Sequence, residues 1–161
     1  MLIYCLFINI FTYEKALQNS TIGIFGLGTI GMSVAMRLKS FEPRQIIYTS
    51  RKPNANAAKL GFENVCFDEL LAKSDFLICT CSLNKETELI FNKQAFSKMK
   101  TSTVFINVSR GMIVNQDDLY EALNGKVIAA AGLDVTSPLF LEPSHKLLSL
   151  ENCFITPYMG S

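Results

Sequence analysis

Hydrophobic residues fall along this chain in short unbroken runs, separated by stretches whose apolar positions recur at helical spacing. The first clear run, TIGIF at 21–25, is rich in β-formers and stops at Gly26. Similar runs follow at 45–49 (QIIYT), 64–67 (NVCF), 75–80 (DFLICT), 103–108 (TVFINV), 128–135 (IAAAGLDV) and 153–156 (CFIT). A strand with one solvated face alternates apolar and polar residues. These runs barely alternate, so they predict strands covered on both faces. In GLGTIGMSVAMRLKSF, Ile30, Val34, Leu38 and Phe41 form one helical stripe, and Pro43 ends that helix. DELLAKS (68–74) and NKQAFSKM (92–99) are shorter amphipathic pieces. NQDDLYEALNG (115–125) has Asn115 as a cap, Asp118 at the third helical position and Gly125 as a stop. Strand and helix alternate without internal repeat or low-complexity linker, which predicts an α/β domain: a parallel sheet with helices on both faces.

Composition keeps the chain in the globular class, with 49% hydrophobic and 18% charged residues. A length of 161 residues fits one domain with a full core. Fifteen basic against fourteen acidic side chains leave a net charge of +1, so no global field favours nucleic acid or an anionic membrane. The five cysteines (Cys5, Cys66, Cys79, Cys81 and Cys153) are odd in number and form no CxxC pair. Cys79 and Cys81 would face the same side of a strand, a poor geometry for bridging each other. We read reduced, buried thiols, no metal site and a cytoplasmic location. Residues 1–16 stand apart as an apolar extension from the domain at 17–161. Eleven of the first thirteen are apolar, but that run is too short to span a bilayer and lacks a basic leader or cleavage site. A buried extension and a stretch outside any folded core both remain open.

Gly26-Leu27-Gly28-Thr29-Ile30-Gly31 is a G-x-G-x-x-G directly after a predicted strand and opening a predicted helix. The first glycine permits a tight turn, the second lets backbone approach a pyrophosphate, and the third lets the helix pack close to the sheet. The helix N-terminus then offers free N–H groups to phosphates. Together these features predict a Rossmann-type, doubly wound sheet that binds a dinucleotide. At the end of the second strand, NAD-binding versions carry a carboxylate for the ribose 2′-hydroxyl. This chain has Thr49, Ser50, Arg51 and Lys52 instead. A carboxylate repels a 2′-phosphate, whereas two hydroxyls and two cations suit one, so NADPH is expected over NADH. A merely solvated basic loop is the alternative.

The segments GIFGLGTIG, YTSRKP, SDFLICTCSLNKET, FINVSRGMIVNQDDLYEAL and IAAAGLDVTSP together resemble the nucleotide-binding domain of the D-2-hydroxyacid dehydrogenases. Within that family the chain looks most like the glyoxylate and hydroxypyruvate reductases. The resemblance runs from about Leu17 to Ser161 and implies a single nucleotide-binding domain without the substrate domain, a small 2-oxo acid as substrate, and a homodimer. It places Gly26, Gly28, Thr29, Ile30 and Gly31 on the pyrophosphate and Cys81 and Ser82 along the cofactor edge. Val108 and Ser109 would flank the nicotinamide, Asp134 would sit near its carboxamide, and Gly160 and Ser161 join the cofactor side. Arg110 of the SRG motif would hold the substrate's carboxylate and keto oxygen.

The same resemblance exposes departures. The family pairs a histidine proton donor with a glutamate that holds it, because hydride delivery to a ketone leaves an oxyanion needing a proton. In this chain the glutamate position is Leu139 and the histidine position is Tyr158. Glu142 lies out of register, and His145, the single histidine, reads as a loop or helix-start residue. Thr29 replaces an arginine often used near the pyrophosphate. Phenols as a class ionise near pH 10 and imidazoles near 6.5, so a lone tyrosine makes a slow acid at neutral pH. Two readings follow: a reductase domain with impaired chemistry, or a non-catalytic NADPH-binding module acting as sensor or partner.

Overall fold

The computed structural model of the chain describes residues 16–160. The N-terminal extension reading and the residues Cys5 and Ser161 lie outside those residues. Seven strands form one parallel sheet: β1 (Thr21–Phe25), β2 (Gln45–Thr49), β3 (Glu63–Asn64), β4 (Phe76–Cys79), β5 (Val104–Asn107), β6 (Ala130–Leu133) and β7 (Cys153–Ile155). Their spatial order is β3-β2-β1-β4-β5-β6-β7. Chain order reverses at β1, which pairs with β2 on one side (Ile22 with Ile46) and β4 on the other (Ile22 with Phe76). Ligand crevices of open α/β sheets lie beyond the strand C-termini at such a reversal.

Helices α1 (Thr29–Lys39) and α2 (Ala55–Lys59) cover one face; α3 (Phe67–Lys73), α4 (Lys93–Ser97) and α5 (Gln116–Asn124) cover the other. On the first face Val34, Ala35 and Leu38 pack with Ile22, Ile24, Tyr48 and Ile78. On the second, Leu70, Phe96, Leu119 and Leu123 pack with Ile47, Leu77, Phe105 and Leu133. Phe105 is wedged between Phe91 and Phe96, with ring centroids 4.8 and 5.7 Å away. Alternate residues of each strand thus feed opposite cores, which is why the runs read as unbroken hydrophobicity.

Two local expectations need correction. The run at 64–67 is not a strand beyond Asn64: β3 is two exposed residues, and Phe67 begins α3. Asp68 and Glu69 in the first turn of α3 suit the positive end of a helix, which outweighs the β-propensity of Val65 and Phe67. The helical stripe is also rotated. Gly31, Val34, Ala35 and Leu38 are buried in α1, whereas Ile30 is 62% and Phe41 41% exposed. Gly31 and Ala35 join Val34 and Leu38 on the sheet side because the start of this helix lies close to the glycine turn. Finally, α5 stops at Gly125 as expected, but the left-handed residue is Lys126 at φ 54°, with Gly125 at −80°.

Candidate functional site

The glycine turn is built from backbone contacts. Gly26 has φ +97°, and a Cβ there would lie 2.6 Å from the Cys81 Cα. Its N–H donates to the Thr49 carbonyl (2.9 Å), and its own carbonyl accepts from the Thr80 hydroxyl (2.6 Å). A Cβ on Gly31 would come within 2.3 Å of the Gly26 carbonyl oxygen, so the third glycine lets α1 close against the turn. Gly28 is different. It caps α1 with no side-chain hydrogen bond, and nothing lies within 4 Å of where its Cβ would be. The first turn of α1 carries no acidic residue, and Thr29 and Ile30 are exposed there. Open space above an uncapped helix N-terminus fits a dinucleotide's pyrophosphate, in anion chemistry and in room.

At the end of β2, the Thr49 hydroxyl donates to the Val65 carbonyl (2.7 Å) and the Ser50 hydroxyl to the Lys52 carbonyl (2.7 Å). Neither proton is free for a phosphate, so attraction there falls to Arg51 and Lys52. Both are exposed, and neither forms an ion pair among the described residues.

Beyond β5 the chain turns sharply around Asn107. This buried side chain accepts from the Ser109 N–H (3.0 Å) and hydroxyl (2.7 Å) and donates to the Arg110 carbonyl (3.0 Å). Val108 is half-buried and its N–H donates to the Cys79 carbonyl at 3.3 Å. A Cβ on Gly111 would lie 2.1 Å from the Thr136 carbonyl oxygen, so this glycine lets the loop after β5 touch the loop after β6. Thr136 donates to the carbonyls of Pro138 (2.7 Å) and Leu139 (2.8 Å), and Gln116 clamps Ser137 through two reciprocal bonds. The result is a cleft of about 310 Å³ lined by Arg110, Leu139 and Tyr158 with Leu83, Met112 and Thr136. The Arg110 guanidinium donates to its neighbour's carbonyl, Ser109 (2.7 Å), and has no carboxylate partner among the described residues.

Asp134 is 3% exposed and ties down the C-terminal loop. Its carboxylate accepts from the Thr156 hydroxyl (2.6 Å), the Met159 N–H (2.8 Å) and the Gly160 N–H (2.9 Å). Tyr158 sits between these anchors at φ 53°, and no described residue bonds its hydroxyl. His145 lies elsewhere. It lines a neighbouring cleft of about 380 Å³, and its Nδ1 accepts from the Leu147 N–H at 3.3 Å, capping the turn at Lys146–Ser149. Glu142 is exposed and lies outside the Arg110 cleft.

The thiols differ from their sequence reading. Cys66 is exposed, Cys81 and Cys153 are half-buried, and only Cys79 is fully buried among the described cysteines. Cys79 and Cys81 do meet, with sulfurs 3.8 Å apart, and Cys79 also reaches the Ser109 Oγ at 3.2 Å. Burial pushes the Cys79 thiol up, while its hydrogen bond to Cys81 brings the Cys81 thiol down. Cys153 is pushed up to about 12 by burial. Ser82 lies exposed beyond Cys81, its carbonyl accepting from the Thr87 hydroxyl (2.8 Å). Sequence reasoning passed over Thr80, Asn107, Gln116 and Thr136; the one signal for the first two is a polar residue at or next to the end of an apolar run.

The chain resembles known proteins along nearly its whole length. Residues 9–160 match the model of the D-isomer specific 2-hydroxyacid dehydrogenase NAD binding domain. Human glyoxylate reductase/hydroxypyruvate reductase is 53% identical over 146 residues, which is 90% of this chain and 44% of the human protein. The chain thus spans less than half the length of that relative. A glyoxylate reductase from Paecilomyes thermophila superposes with a TM-score of 0.82 at 34% identity, over 91% of this chain and 44% of that one. An NADPH-dependent glyoxylate/hydroxypyruvate reductase from Sinorhizobium meliloti superposes at 0.83 with 28% identity, over 91% and 59%. With the glycine turn at the reversal of strand order and the Arg110 loop beside it, these matches place the chain in the D-isomer specific 2-hydroxyacid dehydrogenase family, of which it folds the NAD-binding domain.

Proposed function

We propose that this chain is the NADPH-binding part of a reductase of small 2-oxo acids such as glyoxylate or hydroxypyruvate, with its proton-transfer step impaired. The observation carrying this reading is that Arg110, Leu139 and Tyr158 share one cleft beside the loops that follow β5 and β6. When bound, the nicotinamide supplies a hydride to the keto carbon. The protein's tasks are to orient the substrate and to deliver a proton. Arg110 suits the first task, since a planar guanidinium binds a carboxylate through two donors and can polarise a carbonyl. Its bond to the Ser109 carbonyl uses one of the guanidinium's five N–H donors and leaves the others for substrate. The second task falls to Tyr158, whose hydroxyl no described carboxylate holds, because the residue across the cleft is Leu139. Loss of an effective general acid typically forfeits about 10²–10⁴ in rate.

Preference for NADPH rests on Arg51 and Lys52, which carry no ion pair among the described residues. The homodimer and the cytoplasmic location belong to the same reading; no described helix is long and apolar enough to cross a membrane. A fluorescence titration with NADPH, followed by NADPH oxidation with glyoxylate, tests the proposal. Micromolar binding with slow turnover is expected. Turnover of a few per second, the scale of ordinary enzymes, would show Tyr158 to be a competent acid and sink the impairment. A second reading, a non-catalytic NADPH-binding module, is favoured by Leu139 and Tyr158 together. No turnover even with Tyr158→His and Leu139→Glu combined would select it.

A further inference from the structure

Outside the Arg110 cleft, one pair of nucleophilic groups remains without a role in the chemistry above. Cys79 ends β4, fully buried, and Cys81 follows it, half-buried. Their sulfurs are 3.8 Å apart, with Cys81 two residues beyond the end of β4. Residues two apart along extended chain are poorly set for bridging, and a disulfide requires sulfurs at about 2.0 Å, so closure must bend the chain at Thr80 and shorten the separation by roughly half. Cys81 is the residue whose backbone fills the space against Gly26: a Cβ on Gly26 would lie 2.6 Å from the Cys81 Cα and 2.7 Å from its nitrogen. Moving Cys81 therefore moves a wall of the glycine turn.

We infer that Cys79 and Cys81 form an oxidisable dithiol, closed to an intramolecular disulfide by a hydroperoxide, and that closure distorts the Gly26 turn. The accessible partner reacts first. The Cys81 sulfur attacks the terminal peroxide oxygen, breaking the O–O bond; Cys81 becomes a sulfenic acid, and the other oxygen leaves with its substituent and takes up the Cys81 proton, as an alcohol from an organic hydroperoxide or as water from hydrogen peroxide. The Cys79 sulfur then attacks the Cys81 sulfur. The S–S bond forms, the S–O bond breaks, and the departing hydroxyl leaves as water with the Cys79 proton. Two thiols lose two electrons in total and one peroxide gains them. The division of labour agrees with the local chemistry: Cys81, lowered by its bond from Cys79, is the attacking thiol, and Cys79, raised by burial, waits as the resolving one. The Ser109 Oγ lies 3.2 Å from the Cys79 sulfur.

The effect on the turn reaches function only through dinucleotide binding, so that part of the inference rests on the cofactor reading above. The full chain is treated with hydrogen peroxide, alkylated and digested with trypsin. Residues 74–85 form one tryptic peptide containing Cys79, Cys81 and no other cysteine. That peptide should appear unalkylated and lighter by two hydrogens. In Cys79→Ser the same peptide should instead carry a dimedone adduct on Cys81. NADPH affinity should fall about tenfold on oxidation and return with dithiothreitol. Exposed Cys66 is the internal control. Peroxide that oxidises Cys66 while leaving both thiols of the peptide alkylatable overturns the dithiol. A disulfide that leaves NADPH affinity unchanged overturns the link to Gly26. Failure of the reduced chain to bind NADPH would count against the cofactor reading, and the peptide mass would still decide the dithiol.

Discussion

Replacing Gly31 with alanine puts a methyl carbon 2.3 Å from the Gly26 carbonyl oxygen and 2.7 Å from the Thr80 Oγ1. Neither neighbour can retreat easily. The Thr80 hydroxyl is bonded to that same carbonyl at 2.6 Å, and Gly26 is held by its N–H on the Thr49 carbonyl and by the Cys81 backbone behind it. Overpacking of this kind costs about 1–3 kcal/mol, of which better helix propensity returns under 1 kcal/mol. For a net loss of about 1–2 kcal/mol, at roughly 2–4 °C per kcal/mol in a domain of this size, Tm should fall by roughly 2–8 °C. Alanine at Gly28 meets nothing within 4 Å, and φ −80° suits any residue. Its cost in stability should be about 0.5–1 kcal/mol, since glycine is the better N-cap of the two. The added methyl does occupy the space assigned to the pyrophosphate, and NADPH should bind at least about tenfold more weakly, or 1.4 kcal/mol. Thermal melts and NADPH titrations on both variants separate the two effects. A Gly28→Ala protein that binds NADPH normally would refute the placement of the phosphates. A Gly31→Ala protein as stable as its parent would refute the packing argument.

Arg51→Ala should erase most of the NADPH preference while sparing NADH, since a charge-assisted contact to the 2′-phosphate is worth roughly 1.5–3 kcal/mol; equal loss for both cofactors in parallel titrations would contradict this. Asp134→Ala removes the acceptor for the Thr156 hydroxyl and the N–H groups of Met159 and Gly160. Denaturant melting should show a loss of roughly 2–4 kcal/mol, and a change within error would mean the C-terminal loop is held otherwise. Tyr158→His alone should raise glyoxylate reduction little, and adding Leu139→Glu should raise it by more than the two single changes combined, as steady-state NADPH oxidation can check. Burial pushes Cys153 up to about 12, so at pH 8 it should stay thiol and resist iodoacetamide, while exposed Cys66 is labelled. Equal labelling of the two in peptide mapping would show that Cys153 is not shielded.

Local, contiguous features were legible in the sequence. TIGIF and QIIYT coincide with β1 and β2, because both cores press on them and glycine or a polar residue marks each end. The glycine loop was readable for the same reason: its chemistry lies in six consecutive residues. Elsewhere the apolar runs overshot. DFLICT predicts a longer strand than Phe76–Cys79, since Asp75 and Thr80 at its ends serve the turns: Asp75 accepts from the Thr21 N–H and Thr80 holds Gly26. Ile30 was misplaced because periodicity registers spacing and not which residues are small enough to face the sheet. The tether from Asp134 to the loop carrying Tyr158 was invisible, since its partners are 22, 25 and 26 residues away. Arg110, Leu139 and Tyr158 were brought together beforehand only by family resemblance, and their common cleft depends on Gly111 meeting the Thr136 carbonyl.

The two halves of the site are made of different materials, and this bears on how one could outlast the other. The dinucleotide side relies on backbone: two glycines that admit close approach, an uncapped helix N-terminus and strand ends fixed by the sheet. Most side-chain substitutions leave such features intact, because the fold itself requires them. The proton-transfer side, on the proposed reading, relied on two side chains from separate loops, at positions 139 and 158. Both positions are exposed and carry little of the core, so replacing them costs the fold little. Arg110 occupies an intermediate place. Its side chain is exposed, but Asn107 and Gly111 hold its backbone in a turn that packing between β5 and β6 demands. Selection for folding alone can therefore keep the cofactor cradle, whereas on the proposed reading the exposed Arg110 side chain and the groups at positions 139 and 158 can each be replaced at little cost in stability.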